Sequence, residues 1–161
     1  AWLSAGLEMQ VRLVRMADDF ARTLDPVYAT RPSDQTGFAD GYPALVVSEA
    51  SLDALNARLI ARASAPLPMN RFRPNIVVGG AAPFAEDGWK RIRIGGMIFD
   101  LVKPCARCEV TTTDQDTAEK GLEPLATLAT FRKVNGKVMF GMNAIHAGPG
   151  VVQVGDEVVV A

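Results

Sequence analysis

Both cysteines of the chain lie in one short stretch, Lys103-Pro104-Cys105-Ala106-Arg107-Cys108-Glu109-Val110-Thr111-Thr112-Thr113-Asp114. A C-x-x-C pair can close a zinc site, run dithiol exchange or present one reactive sulfur. A structural zinc needs two more soft or imidazole ligands, and the chain offers one histidine, His146, and no third cysteine. Dithiol exchange wants the pair at the start of a helix in a βαβ setting, whereas Val110-Thr111-Thr112-Thr113 favours a strand. A single activated thiolate with a bystander cysteine remains. Arg107 and Lys103 would favour its ionised form, and such a sulfur suits a soft metal or sulfur chemistry. Two buried, inert cysteines are the plainer reading of the same residues.

Other chemical signals are thinner. Asp114-x-Asp116 is like part of a calcium loop, but the glycine and distal glutamate are out of register. Gly79-Gly80 and Gly95-Gly96 do not build a dinucleotide fingerprint. His146 follows no catalytic pattern. Arg73 and Asn75 flank Pro74 at a strand entrance. They read either as a hydrogen-bonded corner or as a clamp for an anion and an amide.

The framework must place these groups within one domain, which 161 residues can supply with a substantial core. Seventeen basic against eighteen acidic side chains argue against broad nucleic-acid binding. No apolar run approaches a membrane span, and two cysteines so close make a poor scaffold disulfide, which suggests a reducing compartment.

Val11, Leu13 and Val14 suggest a strand after Gly6. Residues 17–43 carry turn signals throughout and read as a long surface excursion. Ala44-Leu45-Val46-Val47 is a short strand. Ser51 reads as the cap of a helix that ends near Ala63, with Asp53 in its first turn and Leu52, Leu55 and Leu59 as its buried stripe. Ile76-Val77-Val78 is a buried strand, and residues 91–101 form a hairpin about Gly95-Gly96. Glu109–Thr113 reads as a strand, and Leu125–Phe131 as a short helix with Pro124 in its first position. Asn135-Gly136 marks a second hairpin. Val151–Val154 and Val158–Val160 close the chain as strands. The fold class is therefore mainly β with α (α+β), a closed or nearly closed β-barrel with one good helix and one short one.

Several of these stretches together resemble the MOSC domain, the C-terminal domain of molybdenum-cofactor sulfurases. They are Ser48-Glu49-Ala50-Ser51-Leu52, Phe72-Arg73-Pro74-Asn75-Ile76-Val77-Val78 and Glu86-Asp87-Gly88-Trp89. Cys105-Ala106-Arg107-Cys108, Thr111–Thr117, Glu123–Leu128 and Val154–Val158 follow in order, over nearly the whole chain. The nearer branch holds the bacterial N-hydroxylamine reductases and the mitochondrial amidoxime-reducing component.

The resemblance implies a barrel holding a molybdenum–molybdopterin cofactor. It makes Cys108 the metal ligand, Arg73, Asn75 and Arg107 cofactor contacts, and Asp40 a catalytic acid near the metal. Gly41-Tyr42 stands where relatives carry small hydroxyl residues. The implied enzyme reduces N-hydroxylated small molecules, a detoxifying chemistry independent of pyridoxal phosphate. Its electrons would come from an iron–sulfur, flavin or haem partner. The alternatives are a sulfurase-type carrier with a persulfide on Cys108, or a non-catalytic molybdopterin-binding module. Residues 1–161 are expected to be the MOSC portion of a longer bacterial, cytoplasmic protein, without the N-terminal β-barrel domain of its relatives.

Overall fold

The computed structural model describes residues 2–161. Seven strands form one sheet: β1 (Ala44–Ser48), β2 (Ile76–Val78), β3 (Arg91–Ile94), β4 (Met97–Ala106), β5 (Lys133–Val134), β6 (Lys137–His146) and β7 (Val158–Val160). The order across the sheet is β2, β1, β6, β4, β3, β7, with β5 folded back on β6. Only β1 and β2 run parallel, and the helix α2 (Glu49–Ala61) crosses between them. The sheet curls into a nearly closed barrel, as the short strands and hairpins require.

Each face has its own core. Val46, Val78, Ile92, Ile94, Phe99, Leu101, Met142 and Ala144 fill the inside. Outside, Leu45, Val47 and Phe140 meet Leu55 and Leu59 of α2, Phe72, and Leu128 of the short helix α3 (Leu125–Leu128). Alternation along β1 sends successive side chains to opposite cores.

Two bulges break the alternation. Leu101 pairs with Ala144 but Lys103 with Asn143, so Val102 is an extra residue in β4. Pro104 pairs with Met142 and Ala106 with Met139, which puts the extra residue of β6 at or near Gly141. Gly141 has φ +78, a left-handed value open to glycine at little cost. Each bulge reverses the side that follows it. Leu101 therefore faces the interior, while Cys105 packs against the outer core.

The predicted α2 is present, but its cap is Ser48 rather than Ser51. The Ser48 hydroxyl accepts from Ser51 N at 3.1 Å, and Glu49, not Asp53, occupies the first turn. Glu86, fully buried, accepts from Ser48 N and Ser48 Oγ and so moves the helix start forward. Three predicted strands are absent. Residues 109–112 form a 3₁₀ turn because Cys108 O accepts both the N–H and the hydroxyl of Thr111. Residues 10–16 and 151–154 are irregular and have no sheet partner. The N-terminal segment instead opens with the short helix α1 (Trp2–Gly6). Pro124 precedes the first turn of α3, which stops at Leu128.

Residues 17–43 form an arm along the barrel, closed on itself by the bridge Thr23–Gln35. Arg31 fastens it, pairing with Asp34 at 3.0 Å and Asp100 at 3.3 Å and donating to the carbonyls of His146 and Ala147. No helix among the described residues is long and apolar enough to cross a membrane.

Two outcomes follow from this packing. A Cβ on Gly141 would stand 2.7 Å from Val47 Cγ2 and 2.8 Å from Val46 O. Gly141→Ala should cost about 2–3 kcal/mol in urea unfolding. Gly80→Ala, at a similar φ but in open space, should cost about 1 kcal/mol. The second concerns Asp34. Burial opposes its charge, yet hydrogen bonds from Thr30 and Arg31 hold its carboxyl below the ordinary 3.8. A depressed folded-state pKa adds stability above the ordinary value, which is lost as pH falls through the folded one. Hydrogen exchange should show residues 23–36 loosening below about pH 4, and already at neutral pH in Asp34→Asn.

Candidate functional site

The cysteine stretch begins where β4 outgrows its neighbour. Strand β3 covers β4 as far as Asp100, and Lys90 O then accepts Leu101 N. Beyond that point one edge of β4 is free, so Pro104 sits in the strand without costing a ladder bond there. Past the bulge, Lys103 and Cys105 lie on the outer face.

Arg107 fixes the turn that follows. Its N–H donates to Val138 O at 2.8 Å. Its guanidinium donates to Cys105 Sγ at 3.0 Å and to Phe72 O at 2.7 Å, with Nε buried and unpartnered. Arg71, which the sequence did not single out, fixes the far side. It is buried and donates from Nε to Thr111 O at 3.1 Å and from Nη2 to Glu123 O at 3.3 Å, and it pairs with Asp114 at 3.5 Å. Its signal was its place beside Phe72, since a basic residue next to a core aromatic needs buried acceptors. Between these two anchors Cys108 is exposed, while Cys105 is half-buried.

The cations expected beside the reactive sulfur go elsewhere. Arg107 serves Cys105, and Lys103 places its ammonium 4.2 Å from the Tyr28 ring centroid. Tyr42 meets Tyr28 edge to face at 6.2 Å. Burial first, then the charge of Asp25, raises the Tyr42 phenol above its ordinary value.

Arg73 follows the 3₁₀ turn Met69–Phe72 in a left-handed conformation, φ 52 and ψ 46. Such strain in a non-glycine residue gathers at ligand sites. Its guanidinium is exposed and has no partner among the described residues. Asn75 exchanges bonds with Leu45 through its own N–H (3.0 Å) and its side-chain Oδ1 (2.9 Å), which leaves Nδ2 free. Register aligns Leu45, Asn143 and Lys103 across three strands, and Asn75, just before β2, is bonded to the first of them. Asp40 is exposed on the arm, its backbone carbonyl held by Arg22 Nη2 at 2.8 Å.

No group of three or more His, Cys, Asp or Glu residues among those described could hold a metal. The Asp114 loop is a turn instead. Bonds from the Thr117 and Asp116 N–H groups, with Arg71 nearby, lower the Asp114 carboxyl pKa. A metal at Cys108 must therefore bring most of its ligands with it. The residues present fit a soft metal on an anionic carrier: one exposed thiol, one free guanidinium, one spare amide N–H pair and one orphaned buried N–H.

A family model, the MOSC domain, matches residues 33–159. The mitochondrial amidoxime-reducing component 1 of Mus musculus is 39% identical over 98% of this chain and 48% of its own length. Its Homo sapiens counterpart is 41% identical over 80% of this chain and 40% of its own. The molybdenum cofactor sulfurase of Oryza sativa subsp. japonica is 35% identical over 88% of this chain and 19% of its own. The chain spans about half or less of the length of these relatives. It belongs to the MOSC domain family. These relatives are eukaryotic and lend no support to the bacterial cytoplasm expected from the sequence.

The two sulfurs should separate in a thiol-labelling time course. The exposed Cys108 should react severalfold faster than Cys105, and Cys108→Ser should leave only the slow phase. Equal rates in the unmodified chain would refute the placement.

Proposed function

We propose that the chain is the molybdenum-cofactor-binding domain of an oxidoreductase that reduces N-hydroxylated compounds. The observation that carries this reading is the exposed thiol of Cys108, set between turns anchored by Arg107 and Arg71. Cys108 would ligate the metal. Arg73 would grip the anionic part of the cofactor, with Asn75 Nδ2 and Arg107 Nε as neutral and charged donors beside it. When bound, the cofactor supplies oxygen-atom abstraction and two-electron chemistry.

The balance is R=N–OH + 2e⁻ + 2H⁺ → R=NH + H₂O, with electrons from an iron–sulfur, flavin or haem protein or domain. Asp40 would pass a proton to the departing hydroxyl, since a carboxyl on a solvent-facing arm can exchange with water between turnovers. Tyr42 and Tyr28 would wall the same side, with Lys103 closing the gap between arm and barrel.

A second reading has its own support. A persulfide carrier needs a sulfur that two partners can reach, and Cys108 is exposed, followed by a 3₁₀ turn rather than a strand. The sulfurase relatives are similar to this chain through the same region.

Metal analysis and turnover separate the two readings. In the full-length protein Cys108→Ser should lose molybdenum and the reduction of an amidoxime by a chemical reductant. Cys105→Ser should retain most of both. If cyanide instead releases stoichiometric thiocyanate, absent in Cys108→Ser, and no amidoxime is reduced, the carrier reading stands.

A further inference from the structure

The arm follows the outer face of β4. Phe99 and Leu101 fill the interior, so Asp100 between them points outward. Thr30 donates to Asp100 Oδ2 at 3.3 Å, and Arg31 pairs with the same carboxylate at 3.3 Å. Three residues further along β4, the Lys103 ammonium lies 4.2 Å from the Tyr28 ring centroid and 5.9 Å from that of Tyr42. Residues three apart on a regular strand point to opposite faces. The extra residue Val102 brings Asp100 and Lys103 to one face, where both meet the arm.

The two fastenings differ in kind. At Asp100 the arm is held by an ion pair and hydrogen bonds. Lys103 is half-buried, yet no carboxylate pairs with it among the described residues. Its ammonium is stabilised by the rings it faces. Those rings belong to the two segments that carry Asp40. Tyr28 sits in the turn at Asp25, whose carbonyl accepts the N–H groups of Tyr28 and Ala29 at 2.9 Å. Tyr42 stands two residues after Asp40 and meets Tyr28 edge to face. Arg22, three residues before Asp25, donates to the carbonyls of Ala39 and Asp40. Asp40 is thus held between the turn and Tyr42 by its backbone alone.

We infer that Lys103 is a positioning residue. Its ammonium, set against the Tyr28 and Tyr42 rings, fastens this end of the arm to β4 and so keeps Asp40 in place for its proton transfer. The fastening stands on the contacts alone, and the proton step rests on the reductase reading. Arg31 and Lys103 then divide the work along one strand face: the first anchors the middle of the arm, and the second aligns the end that carries the acid.

Hydrogen exchange and turnover of the full-length protein test this, with circular dichroism confirming that each variant is folded. In Lys103→Met the N–H groups of Tyr28 and Ala29 should exchange about 3- to 30-fold faster, the range expected for losing a cation–ring contact. Those of Leu24 and Arg31, both bonded to Asp34, should keep their rates. Tyr28→Leu should have the same effect at Ala29, and adding Lys103→Met to it should change little more. With an amidoxime and a chemical reductant, Lys103→Met should lower kcat severalfold at unchanged KM and molybdenum content. Lys103→Arg, whose guanidinium stacks on the same rings, should restore it. An unchanged rate at Ala29 in Lys103→Met overturns the inference, as does equal loss of protection at Leu24 and Arg31. So does full kcat in Lys103→Met, or no recovery in Lys103→Arg. If the unmodified protein shows no turnover, the reductase reading fails and the exchange rates alone decide the fastening.

Discussion

The geometry around Cys108 depends on backbone carbonyls that no strand or helix satisfies. Phe72 O, Thr111 O and Glu123 O all end irregular segments near the outer core, where water cannot serve them freely. Two guanidinium groups supply the donors: Arg107 to Phe72 O, and Arg71 to the other two. Planar five-donor side chains suit this task, since one residue can join separate segments at fixed angles. A lysine in place of Arg71 would satisfy one of its two carbonyls and leave the other unmet. The stretch from 69 to 75 and the stretch from 105 to 114 thus behave as one unit, although residues 76–104 separate them.

Much of this was legible in the sequence because local signals and tertiary demand agreed. The hairpins at Gly95 and Asn135 followed from turn chemistry, and Leu55 and Leu59 of α2 from helical spacing. The errors came where a side chain elsewhere overrode local preference. Val110–Thr113 has strand composition, but a carbonyl at Cys108 takes both the N–H and the hydroxyl of Thr111, and Arg71 holds the end of the turn. The cap of α2 shifted to Ser48 because Glu86, remote in sequence, gives that serine two buried bonds. At the site, the C-x-R-C residues and Arg73 were visible as types. That Arg107 turns to Cys105 was not, because i, i+2 spacing in an irregular turn does not specify direction.

The two cysteines have different tasks that only their surroundings assign. Cys105 is half-buried against the outer core and accepts a hydrogen bond from a cation, which makes it part of the framework. Cys108 has no such contact and meets solvent. Membership in the MOSC domain family joins this chain to relatives named for amidoxime reduction and for cofactor sulfuration. A sulfur that is fixed by its backbone and free at its tip serves either chemistry, so the residues that surround the ligand space decide between them.

The bulge at Val102 makes strand pairing itself a functional variable. Side chains along a strand alternate strictly, so the face that any residue meets is a count of residues from the sheet's fixed pairs. The extra residue in β4 turns an inward count into an outward one before Cys105 is reached. A homologue of the same length in which residue 102 took a regular place in the ladder would keep C-A-R-C intact in any alignment and would score as a full match. Its first cysteine would nevertheless be counted into the barrel interior, among Phe99, Leu101 and Met142. A homologue that lost the bulge together with one residue would keep that cysteine outside, so a one-residue gap between Leu101 and Cys105 can preserve the site that an ungapped match destroys.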